Sequence, residues 1–341
     1  MLDERKERIL RAVVTDYITT AEPVGSRTLA RKHDLGVSPA TIRNEMADLE
    51  MLGYLEHLHT SSGRIPSAKG YRFYVNGLIP PKPVGDSEKA LIRDWYLTRV
   101  RRIEEIFRET ARLIAKVTRN MSMVLTPQIT QAAFRSLNFL PLDNHRSVAV
   151  LLTDAGFMEN KIFEMPAGAT FEDFRRMAAV INRTLSGQTL GTINAGALRQ
   201  IRDEIGDEDL YIAAKELIRR ALDDQRHERL YLGGTTAMLE QPEFRDVEKV
   251  KDILLMLEEE EIIKDLIRAH SGDGLQVVIG QEMNNSRISD CSMITATYHL
   301  DGELLGTIAV LGPTRMEYAK AMSLLEYMND NLTDMIKRFK W

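Results

Sequence analysis

The part of this chain that most constrains its fold is residues 36–66, where a clearly delimited helix pattern is followed by a hairpin pattern. Ser38 can accept hydrogen bonds from the unpaired amides of a helix, and Pro39 suits the first helical position because proline has no N–H to leave unpaired. Segments beginning at glycine, over 53–56 and 63–66, then have the pattern of two strands joined by a turn. This order predicts a recognition helix followed by a wing.

The predicted helix has one apolar face and one face suited to DNA. Its apolar residues recur at helical spacing and are expected to be buried: Ile42, Met46, Leu49 and Leu52. The opposite face begins with small and hydrogen-bonding side chains: Ala40, Thr41, Arg43 and Asn44. In a major groove, Arg reaches guanine bidentately, Asn pairs with adenine, and Ala or a Thr methyl contacts the thymine methyl. A merely solvated face would more often be rich in Glu and Lys.

Two more helices are expected before this one. Apolar spacing over residues 3–20 predicts a first helix, and residues 24–33 predict a short second helix. Residues 34–36 then form the turn that leads to Ser38, which completes a helix-turn-helix pattern. Because short patterns of this kind also arise by chance, an ordinary small helical domain with a polar hairpin stays open as the alternative.

The distribution of charge makes DNA binding compatible with an acidic chain. The formal net charge is −5, but residues 1–79 carry 11 basic and 10 acidic side chains, so the acidic excess lies in the remainder. No acidic residue occurs between Glu56 and Asp86. The basic residues of that stretch are Arg64, Lys69, Arg72 and Lys82. Phosphate is the expected counter-charge for the wing and the segment after it.

The rest of the chain has the pattern of an α+β domain with an insertion. Pro80, Pro81 and Pro83 predict a stiff linker, after which an apolar repeat predicts one long amphipathic helix from 87 to about 123. Its apolar stripe packs either within its own domain or across a dimer, and the pattern does not choose between them. Further helices are expected at 170–229, 247–269 and 316–339. Strands are expected at 134–140, 147–153, 159–164, 230–232, 276–280, 292–299 and 305–311.

No pattern in the sequence indicates an enzyme, a cofactor or a metal centre. The His residues have no Ser or Cys nucleophile beside them in a recognisable arrangement, and the single Cys291 is expected to be a small buried residue. His57 and His59 would share one side of a strand, but no further ligand completes a metal site. Because no apolar run is long enough to span a bilayer and no signal peptide is evident, we expect a soluble, cytoplasmic protein.

Four separated blocks of the sequence match the pattern of one known family. They are VSPATIRNEMADLE over 37–50, TSSGRIPS over 60–67 with Gly70, Tyr71 and Arg72, Gly233-Gly234 before Pro242-Glu243-Phe244, and GTIAVLGPTRMEY over 306–318. With these blocks the chain resembles the HrcA family of bacterial heat-inducible transcription repressors. The blocks keep the family's order along nearly the whole chain, which makes the resemblance specific.

The resemblance implies a domain organisation and a set of partners. It implies a winged helix-turn-helix domain over 1–79, a Pro-rich linker over 80–86, a GAF-like domain over 87–168 and 231–341, and an inserted dimerising domain over 169–230. It also implies a homodimer that represses chaperone operons by binding the inverted repeat called CIRCE, with the GroEL chaperonin supporting its activity. The alternative, by analogy with GAF-like folds, is a regulator that senses a small molecule.

The residues expected to contact DNA lie on the third helix, in the wing and just after it. Thr41, Arg43 and Asn44 are the candidates for base contacts, with Ala40 near a base methyl and Ser38 at the start of the helix. The wing candidates, at the backbone or minor groove, are Ser61, Ser62, Gly63 and Arg64. The candidates for phosphate contacts are Lys69 and Arg72.

Overall fold

The computed structural model describes residues 2–57, 63–79, 83–100, 103–126, 133–143, 146–153, 158–164, 168–189, 192–226, 228–300 and 303–339. Within these ranges the chain combines helices with antiparallel sheets, which confirms the predicted α+β class. No helix of these ranges is long and apolar enough to cross a membrane. The elements group into an N-terminal unit, a central sheet with helices on both faces, and an inserted unit.

The N-terminal unit consists of helices and one short antiparallel hairpin. Its elements are α1 Glu4–Thr20, α2 Ser26–Lys32, α3 Pro39–Met51, β1 Leu55–Glu56, β2 Ile65–Pro66, α4 Ala68–Phe73 and a π-helical turn Tyr74–Leu78. Asp3 caps α1 by accepting a hydrogen bond from the Lys6 N–H at 2.8 Å, and Ala21 ends it in the left-handed conformation. Leu55 pairs with Pro66 in the hairpin. The three predicted helices and the two hairpin strands are therefore confirmed.

The apolar stripe of α3 is buried except at its last position. Ile42, Met46 and Leu49 lie in the core with residues of α1, whereas Leu52 is 47% exposed. The expectation that Leu52 is buried is therefore wrong, because α3 ends at Met51 and the chain turns away. The stripe fixes which side of α3 faces outward.

The elements after the N-terminal unit alternate between helices and strands. The helices are α5 Asp86–Arg99, α6 Ile103–Thr118, α7 Phe171–Leu185, α8 Ala195–Ile205, α9 Glu208–Arg226, α10 Thr235–Leu239, α11 Val247–Glu258, α12 Glu260–Ala269 and α13 Tyr318–Phe339. The strands are β3 Met121–Leu125, β4 Phe134–Pro141, β5 Arg146–Thr153, β6 Met158–Glu164, β7 Leu230–Gly233, β8 Leu275–Ile279, β9 Cys291–Leu300 and β10 Glu303–Pro313. Residues 154–156 and 301–302, which separate predicted strands, and residues 80–82 of the predicted linker lie outside the described ranges.

The single long helix predicted over 87–123 is wrong. The chain forms α5 and α6 instead, because Val100 has an extended backbone, and Arg119 then ends α6 with a φ of 56°. Residues from Met121 form β3, whose side chains are all buried. A short, mostly apolar and wholly buried run such as β3 has no periodicity that separates a buried strand from a buried helix. Likewise the helix expected over 247–269 is two helices, since Glu259 leaves the helical region between α11 and α12.

The central sheet has five antiparallel strands in the order β7-β3-β10-β9-β8. Alternate residues of its strands face opposite layers of helices. Val124 and Ile308 pack with α6 and α13, whereas Met123 and Ala309 pack with α11 and α12. The sheet is therefore buried on both faces.

The inserted unit has its own sheet and its own core. Strands β4, β5 and β6 form an antiparallel sheet that is separate from the central sheet. Phe134 and Leu137 on its inner face pack against Phe174 and Ile181 of α7, in a cluster that extends to α8 and α9. The division expected at 168/169 therefore does not follow the packing, because the strands before it share a core with the helices after it.

Gly70 lets α4 pack against the loop after α3. A Cβ at this position would lie against the Tyr54 carbonyl oxygen, closer than van der Waals contact permits. We therefore expect Gly70→Ala to destabilise the N-terminal unit by about 1–3 kcal/mol, as overpacking typically does. The measurement is hydrogen exchange of the amides of α1, α3 and α4 in the full chain.

Gly77→Ala is the matched control for this substitution. A Cβ at Gly77 meets nothing within 4 Å, so its effect on amide protection should be small. Equal losses of protection in the two variants would contradict the close contact between α4 and Tyr54.

Candidate nucleic-acid interface

The start of α3 is held by a hydrogen-bonded cap. The Ser38 hydroxyl accepts from the Thr41 backbone N–H at 3.2 Å, and the Ser38 and Thr41 hydroxyl oxygens lie 3.0 Å apart. Ala40, Arg43 and Asn44 are exposed on the outer face that follows this cap. The backbone N–H groups of the first turn and these side chains therefore point in a direction that the core does not occupy.

The carboxylates of α3 are neutralised by cations of neighbouring elements. Lys6 on α1 places its Nζ atom 2.7 Å from a Glu45 oxygen and 3.3 Å from an Asp48 oxygen. Arg64 donates from Nε to Glu50 at 2.6 Å. Hydrogen bonding to Glu45 holds the pKa of Lys6 above its ordinary value, so this ammonium stays charged at neutral pH.

Arg43 differs from the other charged residues of α3. Its guanidinium makes no ion pair or hydrogen bond with any residue that the structure describes, and its side chain is exposed. Because Glu45, Asp48 and Glu50 are each paired, the unpaired cation dominates the local potential at the outer face. Such a face attracts an anionic partner and offers Arg43 and Asn44 as hydrogen-bonding groups.

The wing residues fall into two groups. Ser61 and Ser62 lie outside the described residues. Gly63 is buried against Pro23, whose backbone a Cβ would overlap, and Arg64 exchanges backbone hydrogen bonds of 2.9 Å with Val24. These contacts fasten the base of the β1–β2 hairpin to the segment between α1 and α2.

Lys69 and Arg72 lie one helical turn apart on α4, but their contacts differ. The Lys69 Nζ atom donates to the Leu52 carbonyl at 2.8 Å and lies 4.4 Å from the centre of the Tyr54 ring, at the end of α3. Arg72 instead donates from Nε to Glu282 at 2.9 Å and from NH2 to the Val277 carbonyl at 2.6 Å. Arg72 is thus bound to the central sheet region, whereas the contacts of Lys69 lie within the N-terminal unit.

Two further cations were not among the predicted contacts. Arg27 and Arg31 are exposed on α2, and neither forms an ion pair or side-chain hydrogen bond within the described part of the chain. Their spacing of four residues places them on one face of the helix, opposite the buried Leu29. That spacing is the sequence signal that would have identified them.

No chemistry beyond binding is evident in this region. Among the described residues, no group of three or more His, Cys, Asp or Glu side chains is placed to hold a metal ion, and His59 lies outside those residues. Cys291 is buried in the central domain, as predicted, and burial raises its pKa to about 12. A thiol with that pKa is protonated and unreactive at neutral pH.

Comparison with known proteins places the chain in a family. The family described as HrcA protein C terminal domain matches residues 104–322. A heat-inducible transcription repressor HrcA of Symbiobacterium thermophilum is 41% identical over 341 residues, covering 99% of this chain and 100% of that protein. The protein of the same name from Desulfitobacterium hafniense is 43% identical, covering 98% of each.

One solved structure supports the fold over the same length. A crystal structure titled as a hypothetical protein has a TM-score of 0.69 and 22% sequence identity, covering 99% of this chain and 98% of its own. The relatives confirm the resemblance drawn from the four sequence blocks, and they confirm that the chain is a transcription regulator rather than an enzyme. The chain belongs to the HrcA family of heat-inducible transcription repressors.

Proposed function

We propose that this chain represses class I heat-shock operons by binding the CIRCE inverted repeat as a homodimer, with the N-terminal unit acting as a winged helix-turn-helix domain. The observation that carries the proposal is the charge arrangement of α3. Its three carboxylates are paired with cations of the same unit, which leaves Arg43 unpaired beside Asn44 at the capped end of the helix. This arrangement suits insertion of the helix into a major groove.

The proposed DNA contacts divide between bases and backbone. Arg43, Asn44 and Thr41 contact base edges, with Ala40 beside a base methyl and Ser38 near the phosphates at the start of α3. The wing residues Ser61, Ser62, Gly63 and Arg64 approach the backbone or the minor groove. Lys69 holds a phosphate, and we add Arg27 and Arg31 because both are exposed and unpaired in the described structure. We leave out Arg72, whose guanidinium is occupied by Glu282 and Val277.

The inserted unit is proposed to form the dimer. One face of its sheet packs on α7, and the other presents a row of aliphatic residues in which Leu140 and Ile162 flank Val148. Leu140 is 56% exposed and Ile162 is 60% exposed. Covering such a row by a second copy removes apolar surface from water, and a two-fold dimer matches a palindromic operator.

The remaining parts of the proposal come from family membership. We propose a GAF-like role for the central sheet and its helices, a cytoplasmic location, and GroEL as the partner that returns the repressor to a DNA-competent form. A small-molecule sensor stays the alternative for the central domain.

One binding experiment tests the operator and the chaperonin together. The purified chain is titrated into a labelled CIRCE duplex and a scrambled duplex at fixed salt, with and without GroEL and ATP, and fluorescence anisotropy is read. We expect selective binding to CIRCE that improves with the chaperonin. Equal weak binding to both duplexes under all conditions would contradict the proposal. A ligand that both raised the melting temperature and changed operator affinity would favour the small-molecule sensor.

Arg43→Ala tests direct base readout by α3. Loss of a bidentate contact should weaken operator binding by about 1–3 kcal/mol and relax the preference at one base pair. Binding to an operator series with single base-pair changes measures both effects. Arg175→Ala on α7 is the control, because Arg175 is also exposed and, among the residues that the structure describes, pairs only with the neighbouring Glu172. Equal losses of affinity for operator and scrambled DNA would show that Arg43 contacts phosphate rather than a base.

Arg31→Ala tests a phosphate contact by α2. Because phosphate is common to all sequences, we expect equal losses on operator and scrambled duplexes, and a salt slope that falls in magnitude by about 1. The measurement is the affinity for each duplex over a range of salt concentrations, with Arg175→Ala again as control. A loss confined to the operator would show that Arg31 reads sequence rather than charge.

A further inference from the structure

Arg72 binds the N-terminal unit to the central domain through several donors. Its Nε atom donates to one Glu282 oxygen at 2.9 Å, and its NH2 group donates to the other oxygen and to the Val277 carbonyl. The guanidinium is planar and both of its contacts to the carboxylate are directional. A bidentate contact of this kind fixes orientation as well as distance.

Glu282 is itself held in place. Its carboxylate also accepts a hydrogen bond from the Ile279 backbone N–H at 2.8 Å, in the turn that follows β8. Partial burial alone would raise the pKa of Glu282, but the hydrogen bonds from Arg72 and Ile279 lower it below its ordinary value. The carboxylate is therefore charged at neutral pH, and the Ile279 N–H gives it a second contact besides Arg72.

Arg315 makes the reciprocal contact from the central domain. Its NH1 group donates to the Ile18 carbonyl at 3.1 Å, in the last turn of α1, where backbone carbonyls have no partner within the helix. The same guanidinium pairs with Glu243 and donates to the Gln241 side chain at 3.0 Å. Arg315 is only 13% exposed, so these contacts are little screened by solvent.

Apolar packing lies beside the two arginines. The rings of Tyr71 and Tyr318 are both buried, and their centres lie 5.9 Å apart. Tyr71 is adjacent to Arg72 on α4, and Tyr318 begins α13 just after Arg315. The N-terminal unit is thus fastened through α1 and α4 rather than through a single point.

We propose that Arg72 and Arg315 are positioning residues that fix the N-terminal unit on the central domain and thereby set the half-site spacing that a dimer accepts. This inference rests on the proposed function, since it requires two DNA-binding units in one dimer. A unit held by directional contacts on two of its helices presents its recognition helix at one distance and angle. A loosely attached unit would instead reach half-sites at several spacings.

The proposal gives Arg72 a different role from a phosphate contact, and the two roles have opposite signatures. If Arg72 contacted a phosphate, its substitution would weaken binding to any DNA, including a duplex with one half-site. A positioning residue leaves binding to one half-site unchanged and alters only the response to the distance between two half-sites. The half-site duplex therefore also reports whether each variant is folded.

The experiment compares full-length proteins on three labelled duplexes at fixed salt. One carries the inverted repeat with its natural spacer, one has about five base pairs inserted, and one carries a single arm; five base pairs turn one half-site by about half a helical turn. We expect the unchanged protein to lose at least about tenfold in affinity when the spacer is lengthened. The double variant Arg72→Ala with Arg315→Ala should lose at most about threefold, with single-arm affinity unchanged.

Two control variants separate positioning from simple loss of charge or of internal contacts. Arg287→Ala removes an arginine that pairs with Glu259 inside the central domain. Glu243→Gln weakens the ion pair of Arg315 but leaves its contact with the Ile18 carbonyl. Both controls should keep the spacing dependence of the unchanged protein.

The outcomes distinguish failure of the inference from failure of the proposed function. No binding of the unchanged protein to the inverted repeat with its natural spacer would overturn the proposed function. Binding without spacing dependence in the unchanged protein, or equal spacing dependence in the double variant, would overturn only the positioning role. A uniform loss on all three duplexes in the double variant would show that Arg72 or Arg315 contacts DNA, and would also overturn that role.

Discussion

Strand β3 is the element on which the arrangement of the other parts depends. It pairs with β10 on one side and with β7 on the other, so it joins segments that are far apart in the sequence. The chain leaves β3 at Thr126 and returns just before β7 at Arg229, and the two residues exchange hydrogen bonds of 3.0 Å. Because the exit and the return are fastened together, the inserted unit can build a separate core without disturbing the central sheet.

The packing around β3 and β7 also explains one of the sequence blocks. Gly233 ends β7 against α6, where a Cβ would overlap the backbone of Ala111. Gly234 follows with a φ of 74° and directly precedes α10 as its N-cap. The first glycine is needed for close approach to α6, and the second is needed for the left-handed conformation.

The electrostatics of α3 resolve the conflict between an acidic chain and a DNA-binding proposal. Net charge describes long-range repulsion, whereas binding is decided by the groups that face the phosphate backbone. Lys6 and Arg64 neutralise the carboxylates of α3 from two different elements, α1 and the wing base. Under the proposed function, the acidic excess of the remaining chain limits binding to non-specific DNA, while the unpaired Arg43 remains on the outer face of α3.

Local signals were sufficient for the N-terminal helices but not for the parts that depend on distant contacts. Ser38 and Pro39 define the start of α3 within a few residues, and the structure has that start. By contrast, β3 is a strand because β7 and β10 lie beside it. The partner of the Arg72 guanidinium is Glu282, which lies more than 200 residues away in the sequence. The carboxylate-free stretch predicts that Arg72 needs a phosphate as its counter-charge. The sequence pattern could not show that Glu282 of the central domain supplies this counter-charge instead. Arg72 therefore contributes to the attachment between the N-terminal unit and the central domain.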